Sequence, residues 1–541
     1  MPWRGAGCEI TQGIESRNHK PRRDRKAPHW GRRLRSGEGR CVERAGSGEN
    51  YVTSDDTGSW RASLWGIGAA ALAVVVACAP TETRGETLKQ ALAAAYKFNP
   101  RLDAARALQR ATDEEVPRAL SGYRPSINGS ADTSYQKSIT DPSAAARAAG
   151  AEHSNVELNP RGYTVGAVQP LFRGFRTVNA VNAAEATARA GWETLRTAEA
   201  AVLLEAVTAY GDVVRDTAIV RLRENNVTVL TRDLRATQDR FNVGEVTRTD
   251  VAQAQARRAA AVAALDLARA NLKTSRAFFE RVIGHPPSHL VEAQATNLIA
   301  KTIRENLEIS ARESPLVVSA LYREQAARFA VDVIRGELLP TVQLEANYTK
   351  RHDPSVNIDE TETTLVTGRV TVPFYTGGEV QARVRQAKHT HVQRLQEIEQ
   401  ARSEVQERVV TAWSQLEAAK AAAESDTTAV NANRIALAGV REEERVGQRT
   451  LLDVLNAEQE LLNSEVNLVT DQRNVLVASY AVLSVIGRLN AQELGTANLV
   501  YDPEAHYHDV RRKWFDISIT HGDGRREVLE AAPPPGHPPT K

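Results

Sequence analysis

Two stretches of this chain, Gly174 to Val243 and Gly377 to Val446, carry helix-forming residues without a single proline. At about 1.5 Å per residue each predicts one helix roughly 105 Å long, far beyond the scale of a globular domain. Each is followed by a return leg. The first runs from Thr247 to about Ile283 and stops at Gly284-His285-Pro286-Pro287; the second covers 450–489. Shorter helices precede them. One starts at Glu86, pauses at Asn99-Pro100 and closes at Pro117; its counterpart pauses at Ser314-Pro315 and closes at Pro340. Between the short and long helices the period changes from helical to two. Val342, Leu344, Ala346 and Tyr348 alternate with Gln343, Glu345 and Asn347, and Ser126 to Lys137 alternates more weakly through Ile127, Ala131 and Tyr135. Gly162–Phe172 and Thr363–Phe374 are the partner strands. The polar stretches 138–161 and 351–362 are expected to be the hairpin loops.

The two halves are copies. Val243-Gly244-Glu245-Val246-Thr247-Arg248-Thr249-Asp250-Val251 recurs as Val446-Gly447-Gln448-Arg449-Thr450-Leu451-Leu452-Asp453-Val454, both V-G-x-x-T-x-x-D-V. Pro170 and Gly174 match Pro373 and Gly377 at the same offset, and Val282-Ile283-Gly284 matches Val485-Ile486-Gly487. Solenoid repeats run about 20–50 residues, so a period this long indicates a duplicated half-molecule. The expected organisation is a first repeat over 86–295, with a hairpin at 126–172 and helices 174–243 and 247–283. A second repeat covers 296–490, with a hairpin at 341–374 and helices 377–446 and 450–489. A C-terminal tail, 491–541, ends in a Pro-rich, disordered stretch.

The repeated motif is turn chemistry. Gly244 and Gly447 suit the left-handed position that ends a helix. Thr247 and Thr450 suit N-caps, with Asp250 and Asp453 completing capping boxes at the positive end of the dipole. The hairpins carry the sharper inference. Four strands of 10–12 residues have the length to cross a bilayer, and Tyr123, Tyr163, Phe172, Phe374 and Tyr375 fall near strand ends. No helix of membrane-spanning hydrophobicity follows residue 80, so a membrane crossing would use strands closed into a barrel. Four strands are too few for one barrel, and other copies would have to share it. The alternative is a soluble two-hairpin sheet capping a coiled coil; a periplasmic coiled-coil adaptor would share the long helical hairpins but lack the two alternating ones, and a scaffold protein without a pore would lack the matched loops.

Composition changes the picture at one end only. Residues 1–44 hold twelve Lys and Arg against five Asp and Glu, which leaves the rest of the chain net negative. Residues 1–60 read as a leader rather than a nucleic-acid arm, and no nucleic-acid partner is expected. Residues 61–85 read as a signal peptide, Arg61 followed by the uncharged run Ala62–Ala79, although that run also approaches spanning length. Met1 is the only methionine, and a signal so far in predicts translation starting further along, for instance at Val52. Val75-Val76-Ala77-Cys78 loosely matches a lipoprotein cleavage box, while cleavage nearer Gly85 would remove it. The other cysteines are Cys8 and Cys41, so no disulfide or thiolate metal site is possible after residue 78. His285 and His289 flank a Pro-rich break and His506 and His508 sit in the tail. No nucleophile elbow and no phosphate-binding glycine loop is present. No enzyme, cofactor or metal centre is expected.

Duplicated halves, two hairpins, two very long helices and paired V-G turns together resemble the TolC family of outer-membrane efflux proteins over about residues 86–490. The most specific pieces are Arg240-Phe241-Asn242-Val243-Gly244 with Thr249-Asp250, and Val446-Gly447-Gln448-Arg449-Thr450 with Asp453-Val454-Leu455. The resemblance implies a mainly α fold with a small β part, assembled as a homotrimer. A 12-stranded β-barrel in the outer membrane would continue into a periplasmic α-helical tunnel. The implied function is the exit duct of a tripartite efflux or type I secretion system, with a periplasmic adaptor and an inner-membrane transporter as partners. The V-G turns, Gly244 and Gly447, would then lie at the periplasmic tip. By the same resemblance Asp250 and Arg449 match a link that shuts the tip, and Asp453 matches a ring of aspartates that narrows it. Asn456 replaces a second ring aspartate. Glu444 replaces a tyrosine of the closed-state lock, where it would repel Asp250 unless Arg445 or Arg449 intervenes. Three Asp453 carboxylates converging at one mouth would raise their own pKa values.

Overall fold

The structure, a computed structural model, describes residues 85–496, 500–520 and 525–528. The expectations for 1–84 and for Ala531–Lys541 lie outside the described residues. The first half opens with α1 (Leu88–Phe98), α2 (Pro100–Asp113) and α3 (Glu115–Leu120). Pro117, expected to close the helix, sits in the first turn of α3, where no intrahelical N–H is required. Strands β1 (Ser126–Thr133) to β4 (Arg161–Arg173) follow, then α5 (Arg176–Asn242) and α6 (Arg248–Ile283). The second half repeats this as α7 (Ile303–Glu313), α8 (Pro315–Arg335), β5 (Thr341–Ser355), β6 (Ile358–Thr371), α9 (Glu379–Arg445) and α10 (Leu451–Ile486). The long helices α5 and α9 are each 67 residues and the return helices α6 and α10 each 36. Toward the tip α5 pairs with α6 and α9 with α10; toward the sheet both long helices pack on α8.

The core is concentrated where α1, α5, α6 and α10 meet. Leu92, Leu203, Tyr210, Phe279, Leu483 and Ile486 are buried there in one cluster. Polar groups fix the same level. Asn99 donates from Nδ2 to the Val282 carbonyl at 2.9 Å and accepts from the Arg101 N–H at 2.9 Å. One buried side chain therefore caps the start of α2 and ties it to the end of α6. The Tyr210 hydroxyl donates to the carbonyls of Glu86 and Val291, pinning both segments that flank the cluster.

The sheet runs β1-β4-β5-β6, all antiparallel, so each half contributes a hairpin and the hairpins pair through β4 and β5. Register sorts the side chains onto two faces. Ile127, Ala131, Tyr163, Val165, Ala167, Leu344, Ala346, Tyr348, Val366 and Val370 share one face. The other carries Asn128, Asp132, Thr164, Gln343, Glu345, Asn347, Thr349 and Arg369, with Glu345 bonded to Arg369 at 2.7 Å. Among the described residues no helix is long and apolar enough to cross a membrane.

Three further features depart from expectation. The stretch 351–362 is no loop: β5 and β6 continue through it and turn at Val356-Asn357. The stretch 138–161 holds a second ladder, β2 (Gln136–Thr140) with β3 (Ser154–Leu158), around the short helix α4 (Ala144–Ala148). Neither carries apolar alternation, because cross-strand charge pairs, Lys350 with Glu360 and Lys137 with Glu157, take the place of a buried face. Past Asn490, where the pattern decays, the chain forms α11 (Pro503–Val510) and the small hairpin β7 (Ser518–Thr520) with β8 (Arg526–Val528). Tertiary contact rather than periodicity makes α11: Tyr507 is buried against Val116, Ala188 and Trp192.

Glycine is required where the halves touch below the sheet. A Cβ on Gly174, whose φ is +59°, would collide with the Gly336 carbonyl, and one on Gly336 with that of Gly174. The equivalent turn of the second half, Gly377-Gly378, has open space around it. Phe279→Ala should cost about 3–5 kcal/mol, because the ring is fully buried. Leu267→Ala, at an exposed position on the same helix, should stay within about 0.5 kcal/mol of the parent. Denaturant midpoints of the helical part check both.

Candidate gate at the helical tip

Both long helices end in turns with the same construction. Gly244 has φ +84° and Gly447 φ +80°, and a Cβ at either would meet nothing, so backbone conformation alone selects glycine there. Thr247 then caps α6. Its Oγ1 accepts from the Asp250 N–H at 3.3 Å, and the Asp250 carboxylate accepts from the Thr247 N–H at 2.9 Å. Thr450 and Asp453 repeat this on α10 at 3.3 and 3.0 Å. Thr249 is exposed on the first turn of α6.

Charge pairing at the tip differs from the expected pattern. Glu444 is neutralised by neither Arg445 nor Arg449. Arg240, at the end of α5, donates to it at 2.6 Å and so bridges the ends of the two long helices. Arg449 donates to Glu443 at 2.9 Å, and Arg445 pairs with Glu442 at 2.9 Å. Within the chain Asp250 and Arg449 therefore have other partners. Asn456 accepts from Arg257 at 2.7 Å, a bond between α10 and α6 that joins the two coils. The Asp453 carboxyl is held below, not above, the usual carboxylate range. Hydrogen bonds from the Thr450 N–H and hydroxyl stabilise its charge, and the nearby Arg449 guanidinium adds to them.

A second set of charges, which sequence reasoning missed, lies just inside the tip. Glu458 of α10 is buried; Arg441 of α9 donates to one of its carboxylate oxygens, and the other has no partner. Asp233 of α5 faces it. Burial pushes the Asp233 carboxyl up to about 6, the Glu458 charge adds to this, and Arg441 and Arg232 oppose it. Beside them Leu230, Ala261 and Leu455 form a small apolar cluster between the coils. One signal was available: Glu458 stands midway between Val454 and Leu462 on the buried stripe of α10. Nothing local marks Asp233.

The family model described as "Outer membrane efflux protein" matches residues 91–285 and 307–488. The chain belongs to this family. The efflux protein is 39% identical over 438 residues to the outer membrane efflux protein BepC of Brucella suis, spanning 81% of this chain and 93% of the relative. It is 25% identical over 444 residues to the outer membrane protein TolC of Escherichia coli, spanning 77% and 85%. Among solved structures it resembles the CmeC outer membrane channel of Campylobacter jejuni, with a TM-score of 0.66 at 16% identity, covering 79% and 89%. It is thus an outer-membrane protein of the TolC type, mainly helical with a small β part.

The half-buried Asp233 carboxyl gives the efflux protein's coils a pH dependence. The folded-state value of Asp233 lies above the ordinary 3.8, so the folded chain holds this proton more tightly than the unfolded chain. Its contribution to stability is full below about pH 4 and is lost as pH rises through about 6. The thermal midpoint should fall between pH 4 and pH 7, and Asp233→Asn should flatten that fall. An unchanged slope would remove Asp233 as its source.

Proposed function

We propose that three copies of this chain form the exit duct of a tripartite export system. The sheet carries the reading. Its faces are sorted into apolar and polar, and its outer strands, β1 and β6, have edges that no described strand pairs. The first hairpin pairs with the second through β4 and β5, and the duplication makes β6 and the β1 of another copy the equivalent pair. Three copies close twelve strands, with the apolar face toward lipid and the polar face lining a lumen.

The helices support the same assembly. Nineteen residues of α5 are buried but only nine of its equal-length counterpart α9, which leaves Val392, Leu395, Val410 and Ile435 exposed. That uncovered face, like the open turn at Gly377-Gly378, suits the first half of a neighbouring copy. An adaptor or scaffold without a pore has no use for a sheet with a lipid-compatible face.

The duct conducts passively from an inner-membrane transporter to the exterior. A periplasmic adaptor engages the turns at Gly244 and Gly447, where the paired coils end. Opening follows when such a partner binds the untwisted coils more tightly than the closed ones. Arg240–Glu444 and Arg257–Asn456 are the bonds between coils that must break. Asp250 and Arg449 link neighbouring copies, and the three Asp453 carboxylates ring the mouth.

Outer-membrane fractionation with gel mobility before and after boiling tests the assembly. A trimer that resists mild heating is expected, and a soluble monomer would end the reading. For the gate, Asp453→Asn keeps much of the helix cap but removes the charge, and should weaken divalent-cation block of single-channel conductance. Unchanged block would take Asp453 out of the ring.

A further inference from the structure

The C-terminal segment climbs along α1, α2 and the start of α5 step by step. The Tyr501 N–H donates to the Tyr96 hydroxyl at 2.9 Å, His506 meets Asp113 at 3.2 Å, and Arg511 pairs with Glu185 at 2.8 Å. Trp514 then lies under the Arg124 guanidinium, 4.7 Å from its ring centroid, two residues before β1 begins. The segment therefore ends level with the base of the sheet. There it presents Trp514, 57% exposed, Phe515, 89%, and Ile517, 76%. Such a run of large apolar side chains on a surface implies something that covers it.

Two observations choose the occupant. Tyr123, adjacent in sequence to the Arg124 that stacks on Trp514, is exposed together with Leu171 and Phe175 around one shallow hollow at the junction of strands and helices. That junction is where the lipid-compatible face of the sheet ends. The patch is also bordered by cations, Arg124 and exposed Arg512, while Asp516 is paired with Arg526 and with Lys513 at 3.7 Å. Aromatic side chains beside basic ones suit the boundary between acyl chains and anionic headgroups.

We infer that residues 511–519 form a membrane anchor outside the barrel wall, seated in the inner leaflet of the outer membrane. Trp514, Phe515 and Ile517 enter the acyl boundary, and Arg124 and Arg512 hold anionic phospholipid headgroups. The anchor rests on the duct reading, because α11 forms a second layer on helices that line the tunnel and a layer on the inner side would obstruct it. It fixes the height of the helical body against the bilayer independently of the strands.

The test uses the exported protein in vesicles of phosphatidylethanolamine and phosphatidylglycerol brominated on the acyl chains. Trp192→Phe and Trp413→Phe isolate the Trp514 emission, with a further Trp514→Phe variant as blank. Val366→Trp, on the apolar face of β6, reports on the barrel separately. Brominated lipid should halve Trp514 emission or better, with little effect of aqueous iodide. Quenching of the residue 366 reporter but not of Trp514 overturns the anchor. Iodide access would then place the segment in water, and protection from both quenchers would place it against a neighbouring copy. If the residue 366 reporter also escapes the lipid, the barrel reading fails and the anchor with it.

Discussion

A helix of 67 residues has to be covered along its whole length, and one chain with two of them cannot cover both. The rest of the structure follows from this constraint. The first long helix, α5, meets α6 and α10 toward the tip and α1, α2 and α8 toward the sheet, and its small residues, such as Ala186, Ala188 and Ala206, allow close approach. The second, α9, meets its own return helix toward the tip and α7 and α8 toward the sheet, and far fewer of its residues are buried. In the proposed trimer, duplication would turn that deficit into a rule of assembly: whatever the first half offers to the second within a chain, the second half would offer to the first half of the next.

The same rule governs the sheet, where the solvent decides which side chains alternate. Below the level of Tyr163 and Tyr348, whose rings lie 6.0 Å apart, one face is apolar although none of the described residues covers it. Above that level both faces turn polar, and the strands persist through charge pairs such as Lys350 with Glu360 and Arg351 with Asp132. An apolar exposed face and a polar extension in one pair of strands describe a medium that changes along the strand. The aromatic pair marks the boundary.

At the tip, packing and charge divide the work differently. The turns are capped so completely by their own threonines and aspartates that they are rigid ends rather than hinges. Freedom lies between the coils, where Arg240 meets Glu444, Arg257 meets Asn456, and the half-buried Asp233 faces Glu458, itself paired with Arg441. Two carboxyl oxygens there, on Asp233 and Glu458, find no partner among the described residues and so cost stability. A seam built this way is easier to part than a leucine zipper would be. The Asp453 carboxyl shows how local geometry can oppose an assembly effect: its capping bonds lower the pKa that convergence of like charges would raise.

Much of this was legible in the sequence. Helix length, the duplicated halves, the capped turns and the apolar alternation of β5 all follow from interactions within a few residues, and those interactions act through periodicity and turn chemistry. The polar hairpin extensions and α11 were not legible. Their residues carry no period, and cross-strand ion pairs and the pocket for Tyr507 form only when distant segments meet. The tip divides along the same line. The sequence by itself determined where the turns are and which residues cap them. Only the tertiary structure decided that Arg240 neutralises Glu444, that Asn456 receives a bond from Arg257, and that Asp233 faces Glu458. Each of those pairs joins opposite coils, and the relative rotation of two coils is set by how they pack, not by either helix alone.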